Sequence, residues 1–231
     1  MHQNNTPKHV AIICDGNRRW AKEHKLEVML GHQKAVDDVI EPLVERASKR
    51  GVEFITFWVF STENWNRDKR EVDALLQIFR QVLDRRLESL HKNGVKIKVI
   101  GDIASFPKDI QEKVAGAIEK TKENKKITVI LALNYGGRDE LLRMVNKVVA
   151  ESDGNSKVTA DDIEKHLETA GIPDPDFIIR TSGEQRLSGF MLWQSNYAEL
   201  AFPDFYFPEF SPDRLDELLE DFANRRRRFG V

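Results

Sequence analysis

His9-Val10-Ala11-Ile12-Ile13-Cys14-Asp15-Gly16-Asn17-Arg18-Arg19-Trp20 opens as an apolar run and breaks at a carboxylate, a Gly-Asn turn and two arginines. The run is apolar on successive residues rather than alternate ones, the pattern of a strand buried on both faces. Such a strand belongs in a parallel sheet covered by helices above and below. Strands are predicted at residues 9–14, 54–60, 96–100, 127–133, 177–180 and 199–202. Helical spacing fills the intervals, at 32–49, 107–122, 138–151, 160–167, 212–227 and a long segment after Asp68. In that segment Glu71, three residues past Asp68, reads as a capping box, and Val72, Leu75, Leu76, Phe79, Leu83 and Leu87 make one apolar face. Gly51 and Asn93-Gly94 supply stops. The alternation predicts one α/β domain over residues 1–231, a central, mostly parallel six-stranded sheet with helices on both faces.

Composition narrows the partners. With 36 Lys plus Arg against 38 Asp plus Glu, the chain lacks the basic surplus of a nucleic-acid binder. Cys14 is the only cysteine, so neither an internal disulfide nor a thiolate metal cage is available, and a reducing cytoplasm is expected. The N-terminus carries no apolar leader, and the apolar stretches fall far short of the ~20 residues that cross a bilayer. Contact with a membrane surface stays compatible with this composition.

Ligands of open parallel sheets sit beyond the carboxyl ends of the strands, and three segments there concentrate polar groups. Asp15 is a hard oxygen ligand suited to Mg²⁺ that bridges to phosphates, while Arg18, Arg19 and the backbone N–H groups of Gly16 and Asn17 suit phosphate oxygens. Taken alone, a tight Asp-Gly turn with surface arginines explains that segment better. Ser61, Thr62, Glu63, Asn64, Trp65 and Arg67 crowd a second segment, where an ordinary helix N-cap explains Ser61 but not Trp65 beside Arg67. Arg180, Arg186 and Ser188 flank a Gly turn in the third, followed at once by large apolar residues; Glu199, further on, is a second candidate carboxylate for the metal. Cys14 reads as inert core. The Asp37-Asp38 pair looks like the Asp-rich box of all-helical prenyltransferases, but in an alternating chain it reads as a solvated helix edge.

With these segments in place, the chain resembles the cis-prenyltransferases along nearly its whole length. His9 through Asn17, Arg19-Trp20-Ala21 and Gly31-His32 resemble the family's first block, and Phe60 through Trp65 its second. Asn134 through Arg138 is similar to a middle block, and Arg180 through Phe202 to the last. The resemblance implies an Mg²⁺-dependent enzyme that joins an allylic diphosphate, such as farnesyl diphosphate, to isopentenyl diphosphate. It places the allylic diphosphate at Asp15, Gly16, Asn17, Arg18, Arg19, Trp20 and His32. Isopentenyl diphosphate falls on Arg180, Arg186, Leu187 and Ser188, Mg²⁺ on Asp15 and Glu199, and the proton step on Asn64. It implies a homodimer completed by the tail Arg228-Phe229-Gly230, with peripheral membrane contact for product release. A tunnel walled by the Val72–Leu87 face with Trp58 and Phe60 has fixed depth, and between the long helix and the Lys96 strand the chain lacks the extra residues of very-long-chain relatives, so the resemblance implies a product of roughly ten or eleven isoprene units.

Two departures bear on the site. Many relatives have Gly where this chain has Arg18, and Arg where it has Val28, so Arg18 is the candidate replacement for a missing cation. The other classes are a non-catalytic partner subunit and a phosphate- or nucleic-acid-binding module. The first typically loses the Asp-Gly-Asn and Arg-x-Ser segments, both present here; the second predicts salt-sensitive polyanion binding without turnover.

Overall fold

The computed structural model describes residues 6–152 and 157–225. Six strands build one sheet: β1 (His9–Ile13), β2 (Phe54–Ser61), β3 (Val95–Ile100), β4 (Ile127–Tyr135), β5 (Phe177–Arg180) and β6 (Glu199–Ala201). Their order is β3-β4-β2-β1-β5-β6 and every pairing is parallel. Each expected strand is present, with ends shifted by no more than two residues. The helices are α1 (Asn17–Glu23), α2 (Val28–Lys34), α3 (Ile40–Lys49), α4 (Lys69–Lys92), α5 (Lys108–Thr121), α6 (Gly137–Glu151), α7 (Ala160–His166) and α8 (Pro212–Asn224).

Burial follows from the two-sided apolar runs. All five residues of β1 are buried, and consecutive side chains part to opposite faces. Val10 and Ile12 join a core formed with Leu43, Val44 and Ala47 of α3 and Leu215, Leu219 and Phe222 of α8. Ala11 and Ile13 enter a second core with Tyr135, Phe190 and Met191 on the other face. A third core packs Val72, Leu75, Leu76 and Phe79 of α4 and Ile110 and Val114 of α5 against Phe60 and Leu133.

Three helical expectations need correction. The helix predicted to start at residue 32 begins at Val28, and a wide π turn, Ala35–Val39, joins α2 to α3. Asp68 caps α4 through the Arg70 N–H at 2.9 Å, but the capping box does not form, because the Glu71 carboxylate turns to Arg67 instead. The last helix stops at Asn224, since Arg225 is extended and folds its guanidinium back on Asp221, Glu199 and the Leu200 carbonyl.

The strand order fixes where a ligand belongs. From β1 the chain passes to β2 on one side, whereas from β5 it passes to β6 on the other. The connections after β1 and β5 therefore diverge and leave a crevice beyond their carboxyl ends, the switch point where open α/β sheets take ligands.

Candidate active site

Asp15 and Arg180 stand at that crevice, Asp15 two residues past the end of β1 and Arg180 as the last residue of β5. Asp15 Oδ2 accepts from Arg180 Nη2 at 2.9 Å and Nε at 3.3 Å, and its Oδ1 accepts from Arg19 Nη2 at 3.2 Å. Burial opposes ionisation of Asp15, but the Arg180 and then the Arg19 guanidinium outweigh it and hold the carboxyl below its ordinary range. Arg180 is itself buried and donates onward to the Ser188 hydroxyl at 2.8 Å and the Arg186 carbonyl at 2.5 Å. Arg19 also reaches Glu184 at 3.0 Å and Ser182 at 2.6 Å. The β5–β6 connection bends sharply to do this, with Ser182 and Ser188 both in the left-handed region at φ 76° and 50°. Non-glycine residues are held there only where the surrounding structure over-determines the backbone.

Two glycines set the opposite wall. Gly16 has φ 103°, and a Cβ there would stand 2.6 Å from the Tyr206 ring. At Gly31 an added Cβ would meet the Asn17 carbonyl at 2.1 Å, so only glycine lets α2 close on the Asp-Gly-Asn turn. That closeness delivers His32 to the cavity beside Asn17.

The resulting cavity has a volume of about 640 Å³. Its walls bring together Asp15, Gly16, Asn17, Arg18, Arg19, His32, Ser61, Glu63, Asn64, Arg67, Arg180 and Ser188, all expected from sequence. Ile13, Cys14, Trp58, Val59 and Leu75 complete it as an apolar side. Asn64 is fixed there by Ser61, whose N–H it accepts at 3.2 Å and whose hydroxyl it meets at 2.8 Å. The Asn17 amide donates to the Cys14 carbonyl at 3.1 Å. Its Oδ1 and the Nε2 of His32 are buried without a protein partner. Burial lowers His32 to about 4, helped by the nearby Arg67 and Arg18 charges, so the imidazole is neutral at pH 7.

Other expected residues lie elsewhere. Trp20 is buried and stacks on His24 at 4.3 Å, away from the cavity walls. Trp65 packs on Phe60 and Phe106 and donates to Asn134 at 2.9 Å, a core role. Thr62 lines a neighbouring pocket with Gly136, Gly137 and Arg138. Leu187, within the β5–β6 connection, packs against the second core. The Arg186 side chain is mostly exposed and pairs with Glu184; only its carbonyl reaches the site.

Glu199 is the largest correction. It starts β6 opposite Phe177, at the far end of the strands from Asp15, and its carboxylate pairs with Arg225 at 3.1 Å. Within one chain the two carboxylates do not converge. Asp37 and Asp38 are tied to Gln33, Arg86 and Lys34, as a solvated helix edge requires. Cys14, expected as sealed core, lines the cavity, but burial and then the Asp15 charge push its thiol up and leave it a poor nucleophile.

Among the described residues no three His, Cys, Asp or Glu side chains gather into a metal cage. Mg²⁺ needs none, since one or two carboxylates plus substrate phosphates suffice. An ionised carboxylate offers about four acceptor positions, and the arginine contacts occupy three of those on Asp15. Asp15 therefore fits such an ion; Glu199 does not fit beside it in the same chain.

Comparison with known proteins gives the family. The family model described as putative undecaprenyl diphosphate synthase matches residues 13–230. An isoprenyl transferase of Clostridium perfringens is 43% identical over 229 residues, covering 97% of this chain and 90% of its own. The ditrans,polycis-undecaprenyl-diphosphate synthase ((2E,6E)-farnesyl-diphosphate specific) of Haemophilus influenzae is 41% identical, covering 100% of this chain and 98% of its own. The crystal structure of lavandulyl diphosphate synthase from Lavandula x intermedia, in complex with dimethylallyl diphosphate, gives a TM-score of 0.94 at 35% identity, over 99% of this chain and 100% of that one. The chain belongs to the undecaprenyl diphosphate synthase family, the cis-prenyltransferases.

Proposed function

We propose that the chain elongates an allylic diphosphate, such as farnesyl diphosphate, by successive condensation with isopentenyl diphosphate, each round adding a cis double bond. The observation that carries this is the pair of buried, unpartnered polar atoms on Asn17 and His32 in a cavity that also presents Arg18, Arg67, Arg19 and Arg180. A buried polar atom without a partner costs about 1–3 kcal/mol, and a bound ligand would supply the missing partner of each. The surrounding cations make that ligand an anion. The apolar side at Ile13, Trp58, Val59 and Leu75 suits the prenyl tail.

Each residue then has a task. Arg18, Arg67 and neutral His32, as an N–H donor, grip the allylic diphosphate; Arg180 and Ser188, with a lesser share from Arg186, hold the isopentenyl diphosphate. The allylic C–O bond breaks with its electron pair leaving on diphosphate, and the arginines stabilise that charge without reorganising. The isopentenyl double bond supplies the electron pair of the new C–C bond, and the departed diphosphate takes a proton from the isopentenyl C2, whose C–H pair forms the cis double bond. Asn64, locked by Ser61 at the cavity wall, orients the substrate there, because an amide is a weak base. Mg²⁺ held by Asp15 and the substrate phosphates would neutralise the departing diphosphate.

We further infer a homodimer of one-domain chains and a cytoplasmic enzyme. Leu142, Val145 and Val149 support the first, standing exposed at one-face spacing along α6. Among the described residues no helix is long and apolar enough to cross a membrane. Exposed Leu26 and Leu30, at the corner between α1 and α2, suit peripheral membrane contact.

Incubation with Mg²⁺, labelled isopentenyl diphosphate and dimethylallyl, geranyl and farnesyl diphosphates, followed by sizing, tests the activity. The likeness to the lavandulyl diphosphate synthase is the reason for including the five-carbon starter. Label is expected in a ladder that ends at a medium length, roughly ten or eleven units if the cavity deepens along α4. No incorporation with any starter sinks the reading.

A further inference from the structure

Arg18 and Arg67 come from separate elements, α1 and the turn before α4, yet both line the same cavity. Nothing in their local sequence holds them together, and two like charges repel. Arg18 is 58% exposed along its side chain and would sweep solvent if unrestrained. The structure resolves this with Glu71 in the first turn of α4. Its carboxylate, only 13% exposed, meets Arg67 Nη1 at 2.9 Å and Arg18 Nε at 3.7 Å. Among the described residues neither arginine has another ion-pair partner. Arg19 and Arg180, by contrast, are anchored across the cavity on Asp15, Ser182, Glu184 and Ser188.

We propose that Glu71 is a positioning residue, holding Arg18 and Arg67 on one carboxylate so that both guanidiniums converge beside His32 on the allylic diphosphate. This rests on the reading of the cavity as a diphosphate site. Glu71 touches no substrate and acts through the arginines. Its negative charge would repel the ligand, so its presence is explained by placement rather than attraction.

The two effects separate experimentally in Glu71→Asp, which keeps the charge and draws the carboxylate back by one methylene. Arg67, the nearer partner, follows it; Arg18 does not. The KM for farnesyl diphosphate is expected to rise about five- to tenfold, with the isopentenyl KM within about twofold and the melting temperature unchanged. Titration with inorganic diphosphate should weaken in parallel. In an Arg18→Gly background the same change should add less than about twofold, because Arg18 is the group it releases. An unchanged allylic KM overturns the proposal, as do effects that multiply independently or a joint rise of both KM values. Wild-type protein that binds no diphosphate overturns the functional reading and this proposal with it. Wild-type binding with Glu71→Asp unaffected overturns the proposal alone.

Discussion

At the scale of single residues, Asp15 neutralises buried Arg180 and, in the proposed reaction, would also supply the metal-side oxygen. Removing the carboxylate outright would strand a buried guanidinium, a lesion of about 3–5 kcal/mol, so Asp15→Ala confounds chemistry with folding. Asp15→Asn keeps the shape, and condensation is expected to fall at least about a hundredfold with the circular-dichroism spectrum retained. Near-normal turnover would remove Asp15 from the reaction. Arg180 and Arg186 looked equivalent in the sequence, both being cations beside the Gly turn. The structure separates them: Arg180→Ala should raise the isopentenyl KM at least about tenfold, Arg186→Ala no more than about threefold. An equal effect would show that Arg186 swings in from its Glu184 pairing. Most of the cavity was legible because its residues follow strand ends in contiguous blocks. What was hidden is what pairs across blocks: nothing in the spacing of Arg18 and Glu71 says that they meet. Trp20 and Trp65 misled because an indole suits a core as well as a ligand site.

At the scale of elements, the central strands were readable because short apolar runs rich in Val, Ile and Phe, bounded by turn residues, suit a doubly covered sheet, whereas edge strand β3 alternates with Lys96 and Lys98. Boundaries set by competition were not, as where Glu71 abandons its cap for Arg67. His9 shows how an element carries pH dependence. It sits fully buried in β1, within 2.7 Å of both the Pro173 carbonyl and the Thr56 hydroxyl. Burial lowers it to about 4, against the opposing pull of Pro173 and Asp176. Below the ordinary histidine range near 6.5 the unfolded chain takes up a proton that the folded chain refuses until about 4. Stability therefore falls as pH drops through that window, by about 3 kcal/mol from this group. The depressed carboxylate of Asp15 acts in the same direction but below the window, where unfolded Asp begins to protonate. Denaturation between pH 7 and 4.5 should show this loss together with a similar one from buried His32, and His9→Gln should remove about half of the combined slope. A flat wild-type profile would contradict the assignment.

At the scale of the whole molecule, one sheet puts its switch point, its cations and its apolar wall at a single end, which is why strand order alone locates the site. Glu199 lies at the other end, so a carboxylate there serves a metal at Asp15 only if another chain brings it. The tail Arg228-Phe229-Gly230 lies outside the described residues, and the exposed α6 stripe is the surface on which dimerisation is testable. Sedimentation should give a dimer, and Leu142→Lys with Val149→Lys should yield monomers with reduced turnover; a fully active wild-type monomer would contradict this. Under the proposed function this cavity builds prenyl chains with cis geometry. Carbon-13 NMR of the isolated product, made from farnesyl diphosphate and labelled isopentenyl diphosphate, tests it most directly. Every newly formed internal double bond should be cis, behind the retained trans bonds of the starter; new bonds that are trans, or label found only in unextended isopentenyl diphosphate, would contradict it.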